Sequence, residues 1–226
     1  MLGRFVSAIF IFFCLASAAA DEALAQGQGY DLSSGGQPTI SGALNGSVSG
    51  ASDPTQNLTV VINFGEVSAA NPNNVVKVVI PIAVRSIQPY QVTVSMTGSN
   101  NADARAIQLS DIGFGVNNMR VLGGKAQICN RNSHIFQTPF NNDPSTTAAI
   151  NSSGRVAYQS SLASISSGST VILSGPKLTQ GTSISRRDDD GWVFDAIFVI
   201  TPQFFSASST GATLTFTISP GPNVQC

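Results

Sequence analysis

From Asn57 onward, apolar and polar residues alternate with a period of two in one stretch after another. In LTVVINF, Leu58, Val60, Ile62 and Phe64 share one face, and Thr59 and Asn63 share the other. In QVTVSMT, Val92, Val94 and Met96 alternate with Gln91, Thr93, Ser95 and Thr97. In ATLTFTIS, Leu214, Phe216 and Ile218 stand opposite Thr213, Thr215 and Thr217. Side chains of a β-strand point alternately to its two sides, so each pattern predicts a strand with one face buried and one wet. RVAYQS from Arg155 and VILSG from Val171 are shorter candidates. GWVFDAIFVITPQFF is apolar on both faces apart from Asp195, which predicts a central strand covered on both sides.

The stretch VVKVVIPIAVRSIQPYQVTVSM, Val75 to Met96, is the most apolar outside the N-terminus. Pro81 would break a helix there. Lys77, Arg85 and the length argue against a membrane span. The stretch therefore predicts two strands, Val75–Val84 and Tyr90–Thr97, joined near Arg85–Gln88. Proline has no N–H to give to a ladder, so Pro81 is expected at an edge or a bulge. The Val75–Val84 strand is accordingly expected to be a place for assembly through the backbone.

Turn signals separate these runs, among them Asn71-Pro72, Asp143-Pro144, Gly175-Pro176, Asp190-Gly191 and Ser219-Pro220. No convincing amphipathic helix is present, and Val, Ile, Thr and Phe outweigh the helix formers. Eight to ten strands with short polar connections predict an all-β protein, an antiparallel immunoglobulin-like β-sandwich, with a jelly-roll-like sandwich or a barrel as alternatives.

The N-terminus predicts export. Arg4, an apolar run from Phe5 to Leu15 and then small residues have the layout of a signal peptide over residues 1–25. Cleavage is expected after Ala25, with Ala20 as the alternative. Cys14 lies inside the apolar run behind Phe13, so it leaves with the signal rather than accepting lipid. Residues 26–56 are rich in Gly, Ser, Asn and Gln and predict a flexible leader, with one alternating piece, Ile40 to Val48, able to pair as a strand. Residues 57–226 would form a single sandwich domain. The expected location is the periplasm, the cell surface or the medium.

Charge then narrows the partners. Of 226 residues only 10% are charged, against about a quarter in typical soluble proteins. Cleavage after Ala25 removes Arg4 from 11 basic residues and Asp21 and Glu22 from 12 acidic ones, leaving ten of each. A balanced chain has no electrostatic footprint for nucleic acid or an anionic membrane.

Two cysteines remain, Cys129 and Cys226. An even count in an exported chain predicts one disulfide between them. Closing a loop of about a hundred residues contributes about 4–5 kcal/mol in the chain-entropy model. The alternatives are two free thiols, or Cys226 paired with another molecule.

The order INFGEV, a valine-rich strand, RSIQPYQVTVS, LSDIGFGV, LSGPKL and ATLTFTIS resembles exported bacterial β-sandwich proteins of the pilin and spore coat protein U-like kind. The resemblance spans about Asn57 to Ser219. It implies an immunoglobulin-like sandwich with a structural or adhesive role at the cell surface. Two features depart from it: the cysteines fall late, and the leader offers only Ile40, Ala43, Leu44 and Val48 as a donor strand.

No catalytic set emerges. His134 is the single histidine, no G-x-S-x-G elbow is present, and His134 is expected to be an ordinary surface residue. One histidine and two distant cysteines make no zinc ligand set. Asp188, Asp189 and Asp190 could offer oxygens to calcium, but without EF-hand spacing they predict a solvated turn offset by Arg186 and Arg187. Glu66, the one glutamate left after processing, has no partner spacing for glycoside hydrolysis. Trp192, Tyr30, Tyr90 and Tyr158 could stack on sugars, though they are few for that role. The tripeptides at Asn45, Asn57 and Asn151 match a glycosylation acceptor at the frequency chance gives in such a chain.

The sequence thus predicts an exported, non-enzymatic structural or adhesive protein, with fimbrial-type subunits among the candidates. It would need no cofactor or metal and would self-associate or assemble on a surface through strand edges. A secreted carbohydrate- or calcium-binding sandwich module is the alternative.

Overall fold

The computed structural model describes residues 29–43, 45–52, 57–67, 75–122, 131–152, 155–165, 168–178, 191–201, 203 and 208–225. They form an antiparallel β-sandwich. Sheet A holds β1 (Tyr30–Ser34), β2 (Thr39–Ser41), β5 (Val76–Ser86), β12 (Gly191–Ile200) and β7 (Gly113–Leu122). Its order is β1-β5-β12-β7, with β2 also beside β5. Sheet B holds β3 (Ser47–Ser52), β4 (Asn57–Val67), β13 (Ser208–Pro220), β6 (Tyr90–Thr97), β11 (Thr170–Gly175) and β8 (Ile135–Phe136), in the order β3-β4-β13-β6-β11-β8. A small hairpin of β9 (Ala149–Ile150) and β10 (Val156–Ala157) stands apart. Among the described residues the α-helix is a single turn, Pro144–Thr147, capped by the Asp143 carboxylate accepting from the Ser145 amide at 2.9 Å.

The alternating runs form the core as their pattern requires. Leu58, Val60, Ile62 and Phe64 of β4 are buried, as are Val92 and Val94 of β6 and Leu214, Phe216 and Ile218 of β13. From sheet A, Val78, Ile80, Ile82 and Val84 of β5 and Phe194, Ala196 and Phe198 of β12 meet them. Phe198 stacks on Phe114 at a centroid distance of 5.1 Å and meets Phe64 edge-on at 6.4 Å. β12 is buried along its whole length, as its two-sided apolar sequence predicts.

The Val75–Val84 expectation is corrected in one respect. The strand exists, but it is internal: β5 pairs with β12 on one side and with β1 and β2 on the other. Pro81 is neither at an edge nor in a bulge. The register with β1 ends at Ile82 and that with β2 begins at Val79, so Pro81 faces the break between them. Its carbonyl accepts from the Gly35 amide at 2.9 Å on that same side. A residue's N–H and C=O point to the same side of a strand, so the missing N–H falls where no ladder partner stands.

The leader is corrected more fully. Within residues 26–56, β1 and β2 extend sheet A and β3 extends sheet B. Leu32 is completely buried, and Asp31 pairs with Arg85 at 3.0 Å. Three short strands suffice here because each pairs with a long, well-buried neighbour, β5 or β4. Composition in Gly and Ser lowers local propensity, but tertiary pairing decides the outcome.

Candidate interaction surface

The two sheets differ in charge. Sheet A carries Asp31, Lys77, Arg85, Arg120 and Asp195 on its outer side, all of them paired: Lys77 with Asp143 at 2.9 Å, Arg85 with Asp31 and Arg120 with Asp195 at 2.8 Å. Around Asp143, burial raises the carboxyl pKa, but hydrogen bonds from Ser145 and Lys77 outweigh it and leave the pKa lowered. Sheet B carries one charged residue in its six strands, Glu66.

The outer face of sheet B is a neutral grid. One row across the strands reads Ser49, Val61, Thr213, Thr97, and the next reads Thr59, Thr215, Ser95. A third runs Asn57, Thr217, Thr93, Val171. Neighbouring side chains satisfy one another: Thr217 Oγ1 donates to Asn57 Oδ1 at 2.6 Å, and the Thr59 and Thr215 hydroxyls lie 3.5 Å apart. Val61 keeps 48% of its surface exposed on this face.

The sheet edges are also unequal. Strand edges present unpaired N–H and C=O groups, which natural proteins block with charges, short strands, bulges or covering chain. β7 is covered: the Phe114 amide donates to the Ser160 carbonyl at 3.1 Å and the Val116 amide to the Phe140 carbonyl at 2.7 Å. Further along, its register with β12 shifts, and Asn118 takes a left-handed φ of 59°. β8 has two residues and β2 three, while β1 carries Asp31. Among the described residues β3 has none of these devices. It pairs with β4 through six uninterrupted positions and contains no charge and no proline, and among the described residues nothing pairs with its other side.

Beneath β3 the sandwich is open. A cleft of about 300 Å³ lies between β3 and the β1–β2 break. Val48, Gly50, Leu58, Val60, Ile80 and Pro81 line much of it. The core side chains Leu58, Val60 and Ile80 thus form part of the wall of a surface cleft.

The residues singled out from sequence fall elsewhere. His134 is not a surface residue: it is 7% exposed and fills the gap between the sheets. Tyr90 of sheet B lies 2.8 Å from its Nδ1, and its ring sits 4.7 Å from that of Trp192 of sheet A, centroid to centroid. Burial lowers the His134 pKa to about 4 and raises that of the Tyr90 hydroxyl. Among the described residues, His134 Nε2 and Trp192 Nε1 have no hydrogen-bond partner. Among the aromatics considered for sugar stacking, Tyr90 and Trp192 are therefore core residues, and Tyr158 is part-buried with its hydroxyl bonded to Thr201. Tyr30 is half-buried beside Gln88. Glu66 is exposed on β4. Cys129, Cys226, Asp188, Asp189 and Asp190 lie outside the described residues, as do residues 1–25, expected from the sequence to be a signal peptide. Among the described residues no three His, Cys, Asp or Glu side chains are grouped so as to hold a metal, and no helix is long and apolar enough to cross a membrane.

The edge of β3 was the feature sequence reasoning missed. Its only signal was the short alternation from Ile40 to Val48, which falls partly on this strand. Compared with protein-family models, curated proteins and solved structures, the chain matches none.

Proposed function

We propose that the chain is an exported, non-enzymatic structural or adhesive protein of the cell surface, of the fimbrial-subunit kind. The observation that carries this reading is the asymmetry of the sandwich. One sheet closes its outer side with paired charges. The other leaves a neutral, hydroxyl-rich face next to an unblocked edge. A face without charge gives little long-range steering and suits close contact with other neutral surfaces. Strand-edge pairing gives such contact backbone hydrogen bonds without requiring a catalytic group.

The test is where the protein goes and what its loss does. Fractionation of producing cells, with protease treatment of intact cells, should find it in the envelope or medium and accessible from outside. Deletion should reduce attachment of cells to surfaces or to one another. Retention in the cytoplasm, or unchanged attachment by the deletion strain, would sink the proposal.

A further inference from the structure

We infer that β3 is a homodimerisation edge, on which a second copy of the chain adds its own β3 antiparallel to form one continuous twelve-stranded sheet. This deepens the assembly reading above by naming the edge and the partner. β3 is the longest strand edge among the described residues that has no charge, bulge or covering chain. Alternate residues of β3 give their N–H and C=O to β4, and among the described residues no strand takes the groups that face the other way. An edge in that state is a template for another strand.

The partner follows from the side chains. Val48 lies on the inner face over the cleft, opposite Ile62, and Gly50 lies on that face opposite Val60, while Ser47 and Ser49 are exposed on the outer face. Directly opposed residues in a sheet must share a face. A two-fold axis at Ser49 meets this condition: it sets Val48 against Gly50 of the other copy and Ser47 against Ala51. Each Val48 then has the space left by a glycine, at the mouth of the partner's cleft. No like charges meet, because the strand has none. An isologous contact of this kind closes after two copies.

Sedimentation equilibrium of the purified protein tests it. The wild type should show a concentration-dependent monomer–dimer equilibrium. Ser49 is exposed on the outer face, so Ser49→Lys and Ser49→Glu should fold with unchanged melting temperatures. Each alone places like charges on the axis and should weaken the dimer by roughly two orders of magnitude. Mixing the two should restore association as a heterodimer. A wild type that stays monomeric at every concentration overturns the inference, as does a dimer that neither variant weakens. Two monomeric variants that fail to associate when mixed overturn the axis at Ser49. A monomeric wild type found on the cell surface would end this inference and leave the surface role standing.

Discussion

The Tyr90 hydroxyl lies 2.8 Å from Nδ1 of His134, whose ring meets Trp192 of the opposite sheet at 4.7 Å. The histidine is held neutral there, since a buried imidazolium would lose its hydration without gaining a carboxylate. Its pKa is lowered from 6.5 to about 4.

That shift makes stability depend on pH with a definite sign. Between pH 6.5 and 4 the unfolded chain binds a proton at His134 and the folded chain does not. Folding is favoured fully above pH 6.5 and is weakened as pH falls toward 4, by about 1.4 kcal/mol per unit in mid-range. Urea midpoints measured from pH 7 to pH 4 should fall for the wild type and fall less for His134→Gln. Parallel curves for the two proteins would show that His134 is not the group responsible.

Tyr90 imposes a second constraint. Gly175 lies opposite it across the β6–β11 ladder, and a Cβ added at Gly175 would overlap the ring carbons and hydroxyl. The ring is fully buried, so moving it disturbs the surrounding core. Gly175→Ala should therefore cost about 1–3 kcal/mol, the usual range for overpacking. Chemical denaturation of Gly175→Ala, with and without Tyr90→Leu, checks this. The smaller partner should relieve the penalty, giving a non-additive cycle, whereas strict additivity would place the cost elsewhere.

How far the sequence could be read depended on how each position is buried. Strands with one wet face announced themselves: Leu214, Phe216 and Ile218 alternate with threonines and are all buried. β12, apolar on both faces, was also legible. β7 was not, because Gly113, Gly115 and the register shift near Asn118 interrupt its alternation. His134 gave no signal, since one residue plugging a seam between sheets has no period. The unblocked edge of β3 was illegible for a related reason: an edge is defined by what fails to pair with it, which local sequence does not encode.

Pro81 yields a contrast within one strand. It stands where β1 and β2 break, so it costs the ladder nothing there. Pro81→Ala should change stability by no more than about 1 kcal/mol, and its sign reports only the entropy of the unfolded chain. Val78 is buried and has Phe198 of β12 on one side and Ile40 of β2 on the other. Val78→Pro should prevent folding, because a proline in mid-sheet removes a ladder bond and crowds its neighbour. Circular dichroism of the two purified variants is the check, and a folded Val78→Pro protein would mean β5 is not internal.

The Asp31–Arg85 pair tests whether the Gly/Ser-rich segment belongs to the sandwich. The two side chains are 9% and 7% exposed, and Ser33 Oγ accepts a further bond from Arg85 at 3.1 Å. Removing one member of a buried pair strands the other, at a typical cost of about 3–5 kcal/mol. Replacing both with apolar residues of similar size is often far milder, because neither charge is left without its partner. Asp31→Leu should therefore be strongly destabilising, and Asp31→Leu combined with Arg85→Met should recover much of the loss. The double-mutant cycle, followed by denaturant unfolding, measures the coupling directly. A free leader would give no coupling, since Asp31 would then be solvated in wild type and its loss would leave Arg85 as it was. A coupling of several kcal/mol requires β1 to be docked on β5, and with it the chain that leads on to β3.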